Sequence, residues 1–416
     1  MKYRIFGPPG SGKTTWMINK ITEIVNEGTP IEKIACLSFT NQTVNEFLSR
    51  FKNVNKSKFK YFSTIHSLCN SFKEDGKKIF SEKHFRLLKN YSTEEIMSNY
   101  FVYTLLRENS PHLDKIDYNE YELKQFVEEF EEIKEQYNLV DFNDLLKYFD
   151  HSIDIDYLFV DEAQDLSTGQ LIVIDKLIQQ CKKDTYIILD DAQAIFDWAG
   201  SNVKYILDKE DFQDVVLPKT YRLPKTHFKF ACKVLKDLNI ERYNNLILEN
   251  KRDGKIESVS DLDDIDFKSN EEYLILTRNT YQYKDIVDYC YENNFKINVE
   301  RKPKYNSMVV RQVRNNYIDK KKLTVNIDKE DYNYILNNYI MNERPTVNIS
   351  TIHKAKGSEC ENVILFVELT KEQYNSLYLD DDLEELKVFY VGCTRSKNNL
   401  YFVETNKKGY LFDQYL

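Results

Sequence analysis

The chain has a glycine-rich phosphate loop near its N-terminus, and this feature limits its possible folds more than any other. Residues 7–14 read GPPGSGKT, which matches the pattern G-x-x-x-x-G-K-[ST]. The loop follows the apolar run 3–6 and precedes a helix-compatible stretch that begins at Thr15. A strand, a glycine loop and a helix in this order bring backbone N–H groups and a helix N-terminus together around phosphate oxygens. The pattern therefore predicts an α/β domain that binds a nucleoside triphosphate.

Each loop residue can be assigned a role from its chemistry. The glycines let the backbone curl until its N–H groups converge, Lys13 is expected to reach the β- and γ-phosphates, and Thr14 is expected to place its hydroxyl on Mg²⁺. The predicted nucleotide contacts are Gly7, Pro8, Pro9, Gly10, Ser11, Gly12, Lys13, Thr14 and Thr15. The alternative is an accidental glycine-rich turn, which the strand-loop-helix context disfavours.

The composition is that of a globular protein with more than one domain. Of the 416 residues, 42% are hydrophobic and 30% are charged, an ordinary balance for soluble domains. No apolar run approaches the ~20 residues of a membrane span, and the first strand begins too early for a signal peptide. We therefore expect a cytoplasmic protein with reduced cysteines and no membrane partner. The net charge of −9 argues against coating nucleic acid by bulk attraction, but permits a local basic groove.

Apolar, β-rich runs recur along the chain at helix-length intervals. They lie at 34–39, 157–160, 185–189, 273–277, 347–350, 363–367 and 400–403. This alternation predicts an α/β fold with parallel sheets that are covered by helices on both faces. Ligands in open α/β sheets bind beyond the carboxyl ends of the strands. We therefore expect the functional motifs, which follow these runs, to lie at the carboxyl ends.

Two stretches depart from this alternation. Residues 71–150 read as a helical insertion, because apolar residues within 123–137 recur every three or four positions. The glutamates between them predict a solvated helix face. Residues 301–322 are basic, with Tyr305 and Tyr317 interleaved. Two interpretations of this basic stretch stay open, a solvated surface and a nucleic-acid contact.

An acidic pair ends the predicted strand 157–160. Asp161 is placed to hold Mg²⁺ through water, and Glu162 to orient and deprotonate an attacking water. A buried acidic pair at the end of an apolar strand requires a cation nearby to neutralise it. The pair therefore predicts the second half of a nucleotide-hydrolysing site.

These motifs, with the segments between and after them, resemble the UvrD/Rep/PcrA class of superfamily 1 helicases. The matching blocks, in the family's order, are GPPGSGKT (7–14), SFTN (38–41), STIHSL (63–68), DFNDLL (141–146), DEAQD (161–165), LDDAQAIFDWAG (189–200), KTYRLP (219–224), STIHKAKGSE (350–359) and EELKVFYVGCTRSKNNL (384–400). The resemblance covers essentially the whole chain. The set of blocks is far more specific than any one of them.

The resemblance implies a role for each matched residue. Gln193 would sense the γ-phosphate, while Arg222 and Arg395 would neutralise charge that develops in phosphoryl transfer. Tyr221 would stack on the adenine, and Glu359 would contact the ribose. The residues implied to contact single-stranded DNA are Phe39, Thr40, Asn41, Thr64, His66, Trp198 and His353. A place in the core is the alternative for Phe39, His66 and Trp198.

The resemblance also implies an architecture and an activity. It implies two RecA-like P-loop domains, at 1–205 and 206–416, with a small helical insertion at about 71–150 and a reduced one at about 300–345. It implies an ATP- and Mg²⁺-dependent translocase or helicase on single-stranded DNA, of 3′→5′ polarity, that hydrolyses ATP at the cleft between the domains. One alternative is a motor subunit that unwinds poorly alone and serves a replication, repair or nuclease partner. Another is a nucleotide-gated binding module without motor activity.

Several positions depart from the family pattern. Ala199 stands where the family has the arginine of WRG, Ser358 where it has leucine, and Lys387 where EERR has its second arginine. Weaker DNA or interdomain contacts are expected from these changes. The family's adenine-reading glutamine has no counterpart upstream of the loop, so poor discrimination among purine triphosphates is expected. Backbone groups of residues 1–4, or a side chain from another part of the chain, would have to replace it to restore selectivity.

Overall fold

The computed structural model describes residues 1–38, 58–110, 116–118, 122–268, 270–293, 295–299, 346–379, 382–404 and 410–412, with isolated positions between 312 and 335. The chain divides into two compact units, unit 1 (Met1–Lys219) and unit 2 (Thr220–Leu416). This boundary falls later than the predicted one at residue 205. The reason is that the strand Gln213–Val216 pairs with the first strand of the chain and so belongs to unit 1.

Unit 1 is an α/β unit. Within the described residues, its strands are β1 (Lys2–Phe6), β2 (Ile34–Ser38), β3 (Tyr61–Thr64), β4 (Lys78–Ile79), β5 (Leu139–Val140), β6 (Tyr157–Asp161), β7 (Thr185–Leu189) and β8 (Gln213–Val216). Its helices are α1 (Lys13–Asn26), α2 (Ile65–Ser71), α3 (Thr93–Asn109), α4 (Lys124–Gln136), α5 (Phe142–Lys147), α6 (Thr168–Gln180) and α7 (Val203–Leu207). Six strands form one parallel sheet in the order β3-β2-β6-β7-β1-β8. The predicted parallel sheet is confirmed.

Helix α1 covers one face of this sheet because its apolar residues fall on one side. Met17, Ile21 and Ile24 are buried, and they belong to one hydrophobic cluster with Ile5 of β1 and Ile188 of β7. Each buried side chain of this kind contributes roughly 1.5–3 kcal/mol relative to exposure. This packing fixes the start of α1, and with it the phosphate loop, against the central strands.

The insertion at 71–150 is mainly helical, as predicted, and has a core of its own. Helix α4 buries Phe126, Phe130 and Ile133 against Tyr103 of α3. Most of the glutamates on its other face are exposed to solvent. Tyr137, which the periodicity placed on the apolar face, is instead exposed, because α4 ends at Gln136 and Tyr137 is its C-cap.

Within this insertion, a buried ion network joins α3 and α4 to the N-terminal end of α5. The Lys134 ammonium donates to Asp141 Oδ2 and to Asp144 Oδ2, both at 2.8 Å. The Arg107 guanidinium donates to Asp144 Oδ1 at 3.0 Å, and the Tyr103 hydroxyl donates to Asp141 Oδ2 at 2.9 Å. Burial alone would raise the pKa of Asp141, but Lys134 and Arg107 outweigh it and the pKa is lowered. The Asp141 carboxylate is therefore ionised and paired.

We expect Asp141→Asn to lower the free energy of unfolding by about 3–5 kcal/mol, because it leaves a buried cation undercompensated. The folded-state pKa of Asp141 is below the unfolded one, so its stabilisation is present above the unfolded value of about 3.9 and is lost as pH falls. Urea denaturation followed by circular dichroism checks both statements. Asp150→Asn, at an exposed position, is the control. Equal, small losses in the two variants would contradict a stabilising network.

Unit 2 is a second α/β unit. Within the described residues, its strands are β9 (Lys219–Thr220, at the boundary), β10 (Ile247–Leu248), β11 (Lys255–Val259), β12 (Tyr273–Thr277), β13 (Ile297–Val299), β14 (Val347–Thr351), β15 (Cys360–Phe366) and β16 (Ser396–Val403). Its helices are α8 (Lys225–Asp237), α9 (Tyr283–Glu292), α10 (Lys371–Tyr378) and α11 (Glu384–Cys393). Six strands form a parallel sheet in the order β11-β16-β15-β12-β14-β13. The predicted fold class, two α/β units with parallel sheets, is confirmed.

The predicted reduced insertion at about 300–345 lies almost entirely outside the described residues. In the part of the chain that the structure does describe, no helix combines the length and the apolar character needed to cross a bilayer.

Candidate functional site

The phosphate loop leaves the carboxyl end of β1 and enters α1. The Gly7 N–H donates to the carbonyl of Leu189 at the end of β7, at 3.2 Å. A Cβ atom at Gly7 would lie 2.3 Å from Ser11 Oγ and 2.7 Å from Lys13 Cγ, so only glycine fits. Gly12 has φ of 81°, in the left-handed region that glycine adopts without strain. Both glycines are therefore needed for the curled loop that the sequence predicted.

The first turn of α1 is built to receive an anion. Gly12 caps the helix without a side-chain hydrogen bond, and the first turn has no acidic residue. Its N–H groups and the positive end of the helix dipole therefore face the loop. The Lys13 ammonium donates to the Gly7 carbonyl at 2.8 Å, across the same loop. These groups fit a chain of phosphates.

The same edge of the sheet carries oxygen donors that fit Mg²⁺. Thr14 is half-buried at the start of α1, and Asp161 is fully buried at the end of β6. Strand β7 alone separates β6 from β1 in the sheet. A hydroxyl and a carboxylate are the few protein ligands that Mg²⁺ takes when phosphates and waters supply the rest. Among the described residues, no group of three or more His, Cys, Asp or Glu side chains could hold a metal by itself.

Glu162 occupies a strained backbone position next to Asp161. Its φ is 51°, in the left-handed region that non-glycine residues rarely adopt. Gln164, which is fully buried, donates from Nε2 to Glu162 Oε2 at 2.5 Å. The Gln164 Oε1 accepts the N–H of Asp190 at 3.0 Å. Gln164 therefore ties the predicted general base to the end of the neighbouring strand β7.

Gln193 lies at the end of β7 in a short 3₁₀ turn, Asp191–Gln193. Its Nε2 donates to Asp190 Oδ2 at 2.5 Å, and Asp190 Oδ1 accepts the Ala192 N–H at 3.2 Å. The predicted γ-phosphate sensor is thus oriented by a fully buried carboxylate. Sequence reasoning assigned no role to Asp190 or to Gln164, although both lie within the matched blocks.

Thr64 and His66, predicted to contact DNA, lie at the carboxyl end of β3, in the same sheet as the phosphate loop but farther from it. Strand β3 is four positions from β1 in the sheet, about 19 Å at the usual strand spacing. Thr64 accepts the Ser67 N–H at 3.2 Å and so caps α2. Its side chain therefore has a structural role in addition to any ligand contact.

His66 is a half-buried, neutral ring. Burial lowers its pKa to about 4. Its ring centroid lies 5.2 Å from that of Phe142, edge to face, and Gln170 Nε2 lies 3.4 Å from its Nδ1. The histidine predicted as a DNA contact is therefore uncharged at neutral pH, and its Nε2 is buried without a hydrogen-bond partner among the described groups.

Trp198 projects from a 3₁₀ turn, Asp197–Ala199, with 52% of its surface exposed. Gly200 follows with φ of 95°, and Ser201 Oγ donates to Asp197 Oδ1 at 3.0 Å to close the turn. Core packing was the alternative for this tryptophan, and the exposure excludes it. The other predicted contacts of unit 1, Phe39, Thr40 and Asn41, lie outside the described residues.

The predicted residues of unit 2 lie at opposite ends of its strands. Glu359 directly precedes β15 and Arg395 directly precedes β16, so both lie at the amino ends of the strands. His353 follows β14 by two residues and lies at the carboxyl ends. The expectation that every motif lies at the carboxyl ends is therefore wrong for Glu359 and Arg395. The connection 352–359 runs from one edge to the other because parallel strands require a crossover.

Glu359 is the centre of a cluster of positive charges at the amino edge. The Arg222 guanidinium pairs with its Oε1, and the Lys397 ammonium pairs with its Oε2 at 2.9 Å. Burial alone would raise the pKa of Glu359, but Arg222, Lys397 and Arg395 outweigh it and the pKa is lowered. The structure thus brings together, within one unit, three residues that the motifs predicted separately, and adds Lys397.

Arg395 and Tyr221 differ sharply in exposure. Arg395 is 2% exposed, and its Nε donates to the Val391 carbonyl at 2.9 Å. Tyr221 directly follows β9 and is 57% exposed. The exposed ring is accessible, and its stacking on a base stays a prediction. The buried arginine is instead fixed by the C-terminal end of α11.

Unit 2 also has a bidentate ion pair to which sequence reasoning assigned no role. Arg278 follows β12 directly, and its Nε and Nη2 donate to the two carboxylate oxygens of Glu385 at 2.7 and 2.6 Å. Glu385 lies in the first turn of α11, the helix that precedes Arg395. This bidentate pair fixes the N-terminal end of α11. The only sequence signal was that Glu385 lies in a matched block.

The predicted basic stretch 301–322 falls largely outside the described residues, and both interpretations of it stay open. The residues 1–4, proposed as a substitute for the adenine-reading glutamine, lie at the amino end of β1. The Met1 ammonium donates to the carbonyl of Lys183, just before β7, at 2.9 Å. This is the end of β1 opposite the phosphate loop, and a contact of these residues with a base stays a prediction.

Comparisons with known proteins agree with this geometry. The UvrD/REP helicase N-terminal domain matches residues 2–115 and 101–213, and the UvrD-like helicase C-terminal domain matches residues 332–407. A probable DNA helicase of Mycoplasma pneumoniae is 25% identical over 98% of this chain and 81% of its own length. The ATP-dependent DNA helicase PcrA of Staphylococcus aureus is 22% identical over 68% of this chain and 44% of its own length.

Among solved structures, the arterivirus nonstructural protein 10 helicase aligns with 99% of this chain and 62% of its own, at 12% identity and a TM-score of 0.41. This chain spans less than half the length of the PcrA relative. The N-terminal family domain alone accounts for residues 2–213, more than half of the 416 residues, and the C-terminal one follows in the expected order. The chain therefore belongs to the UvrD/Rep family of DNA helicases.

Proposed function

We propose that this protein is an ATP-dependent motor on single-stranded DNA, a translocase or helicase of 3′→5′ polarity. The observation that carries the proposal is the arrangement at the carboxyl edge of the unit 1 sheet. The phosphate loop, the Asp161–Glu162 pair and Gln193 follow three adjacent strands, β1, β6 and β7. Gln164 links Glu162, which follows β6, to Asp190 at the end of β7, and Asp190 also accepts a hydrogen bond from Gln193.

The chemistry proposed for unit 1 is hydrolysis of the terminal phosphate. The α1 N–H groups and Lys13 bind the phosphates, and Thr14 and Asp161 hold Mg²⁺, which when bound neutralises phosphate charge. Glu162 orients a water and accepts its proton as the water attacks the γ-phosphorus. Gln193 donates a hydrogen bond to the γ-phosphate. Each of these residues is present and none is replaced by an inactive type.

The charge that develops in the transition state is proposed to be neutralised by Arg222 and Arg395 of unit 2, with ATP bound between the two units. Tyr221 is proposed to stack on the adenine, and its exposure supports this. Closing and opening of the units, driven by binding and hydrolysis, would move the DNA strand. Trp198, His66 and His353 are the described residues proposed to contact that strand.

Two alternative functions are less well supported. A nucleotide-gated binding module would need no general base and no transition-state arginines, yet Glu162, Arg222 and Arg395 are all retained. A motor that unwinds poorly alone and serves a replication, repair or nuclease partner uses the same site.

The test is the rate of ATP hydrolysis with and without single-stranded DNA. Strong stimulation by a dT oligonucleotide is expected, whereas a rate that is low and indifferent to DNA would contradict a motor. Glu162→Gln is the control, because it keeps the nucleotide contacts and removes the base. Duplexes with a 3′ or a 5′ tail, unwound under single-turnover conditions, then test polarity. Unwinding that requires a 5′ tail would overturn the 3′→5′ proposal.

We expect Trp198→Ala to weaken binding of single-stranded DNA by about 1–3 kcal/mol, the usual contribution of one base stacked on an aromatic ring. Fluorescence anisotropy with a labelled dT oligonucleotide measures this loss. Tyr148→Ala is the matched control, because Tyr148 is also an exposed aromatic residue of unit 1. Thermal melting should show little change in either variant. Unchanged DNA affinity in Trp198→Ala would remove this residue from the proposed path.

A further inference from the structure

Glu359 holds two cations at once, one on each carboxylate oxygen. The Arg222 guanidinium pairs with Oε1, and the Lys397 ammonium pairs with Oε2. The side chains of Arg222 and Glu359 are each 23% exposed, and that of Lys397 is 36% exposed. The group is thus partly shielded from water, where pairing is stronger than at an open surface.

The main chain and the side chain of Arg222 are held by different contacts. Asn250 Nδ2 donates to the Arg222 carbonyl at 2.8 Å, which anchors the main chain beside β10. The guanidinium contacts Glu359, a residue distant in sequence. A change of the Arg222 rotamer can therefore release the guanidinium without moving the strand pair β9-β10.

We propose that Glu359 is a clasp that holds Arg222 while no nucleotide is bound, and that Lys397 is the positioning residue that lets the clasp open. This inference rests on the proposed role of Arg222 in ATP hydrolysis. When Arg222 moves to the phosphates, Glu359 Oε1 loses its partner, and the hydroxyl of the ribose donates to it instead. Lys397 stays on Oε2, so the carboxylate is never left without a cation.

The charges around Glu359 explain how Lys397 would affect the release of Arg222. A half-buried carboxylate with a single cation holds that cation strongly, because separating them leaves both charges uncompensated. A second cation on the other oxygen lowers the cost of releasing the first. Removing the Lys397 charge should therefore strengthen the hold on Arg222, and slow the step in which Arg222 reaches the transition state.

The kinetic test uses a double-mutant cycle. Lys397→Met is expected to lower kcat by roughly fivefold to twentyfold, as for other directly coupled pairs, with a smaller change in KM, and Lys397→Arg is expected to restore kcat. In a Glu359→Gln background, the Lys397→Met change should alter kcat by less than about twofold. Lys255→Met is the matched control, because Lys255 pairs with Glu257 on the neighbouring strand β11. Wild-type kcat in Lys397→Met, or effects that multiply in the double variant, would overturn the proposal.

A second readout does not depend on catalysis. Phenylglyoxal modifies accessible arginine side chains, and peptide mass spectrometry reports the rate at Arg222 in the nucleotide-free protein. Glu359→Gln should raise this rate severalfold and Lys397→Met should lower it, while the rate at Arg252, an exposed arginine near Glu361, stays constant. Equal rates at Arg222 in all three proteins would overturn the clasp. If the rates change as expected but the wild-type protein hydrolyses no ATP, the result supports the hold of Glu359 on Arg222 and contradicts the proposed function.

Discussion

Lys13→Ala is expected to abolish ATP hydrolysis while leaving the fold and DNA binding largely intact. The Lys13 ammonium crosses the phosphate loop to the Gly7 carbonyl, and 9% of the residue is exposed. Within the described loop it is the sole cation, so its loss removes the charge that stabilises the β- and γ-phosphates. The core of α1 is formed by other residues, including Met17 and Ile21, and is not disturbed.

Hydrolysis and anisotropy on labelled DNA, measured in parallel, decide this prediction. Lys20→Ala is the matched control, since Lys20 lies on the same helix and pairs with Glu23 at the surface. Its activity should equal that of the wild type. Retention of more than about a tenth of wild-type hydrolysis by Lys13→Ala would contradict the assignment of the phosphate loop.

Arg222→Ala and Arg395→Ala should each lower kcat by about 10³ or more, with a smaller effect on nucleotide affinity. Their charge is proposed to act on the transition state, where the phosphoryl oxygens carry the most charge. Arg252→Ala, at an exposed arginine that pairs with Glu361, is the control. Loss of ATP binding with kcat preserved at saturation would contradict the proposed role of the variant residue.

Arg395 needs a second variant because it is buried and bonded to Val391 and Thr394. Arg395→Ala leaves a cavity beside α11, so a loss of activity could reflect a loss of structure. Arg395→Lys keeps the charge and most of the volume but cannot reproduce the planar guanidinium. A melting temperature near the wild-type value with low kcat in Arg395→Lys is the expected result. Wild-type kcat in that variant would show that the guanidinium geometry is not needed.

Two segments of unit 2 extend between the amino ends and the carboxyl ends of its strands. The connection 352–359 carries His353 at one edge of the sheet and Glu359 at the other. Helix α11 is similarly held at both ends, by Arg278 on Glu385 and by Arg395 on Val391. Helix α11 therefore lies between the carboxyl end of β12 and the amino end of β16.

The strands that the sequence failed to predict share one property. In the two six-stranded sheets they are β3, β8, β11 and β13, and each is an edge strand; the others, β4, β5, β9 and β10, form two-stranded sheets. Central strands are covered on both faces and read as continuous apolar runs, whereas edge strands are shorter and more polar. β8 (QDVV) and β11 (KIESV) show this directly. The missed β8 is also the reason that the predicted domain boundary lay too early.

The sequence by itself determined the phosphate loop, the acidic pair after β6, the central strands and the order of the family blocks. Each of these depends on residues that are neighbours in the chain, so local chemistry suffices to find them. Only the tertiary structure decided whether each motif lies at the amino or the carboxyl ends of the strands, and which charges distant in sequence form ion pairs. Glu359 and Arg395 lie at the amino edge because they precede parallel strands, and the Arg222–Glu359–Lys397 cluster joins three separate segments. Such contacts depend on strand order and burial, which local composition does not encode.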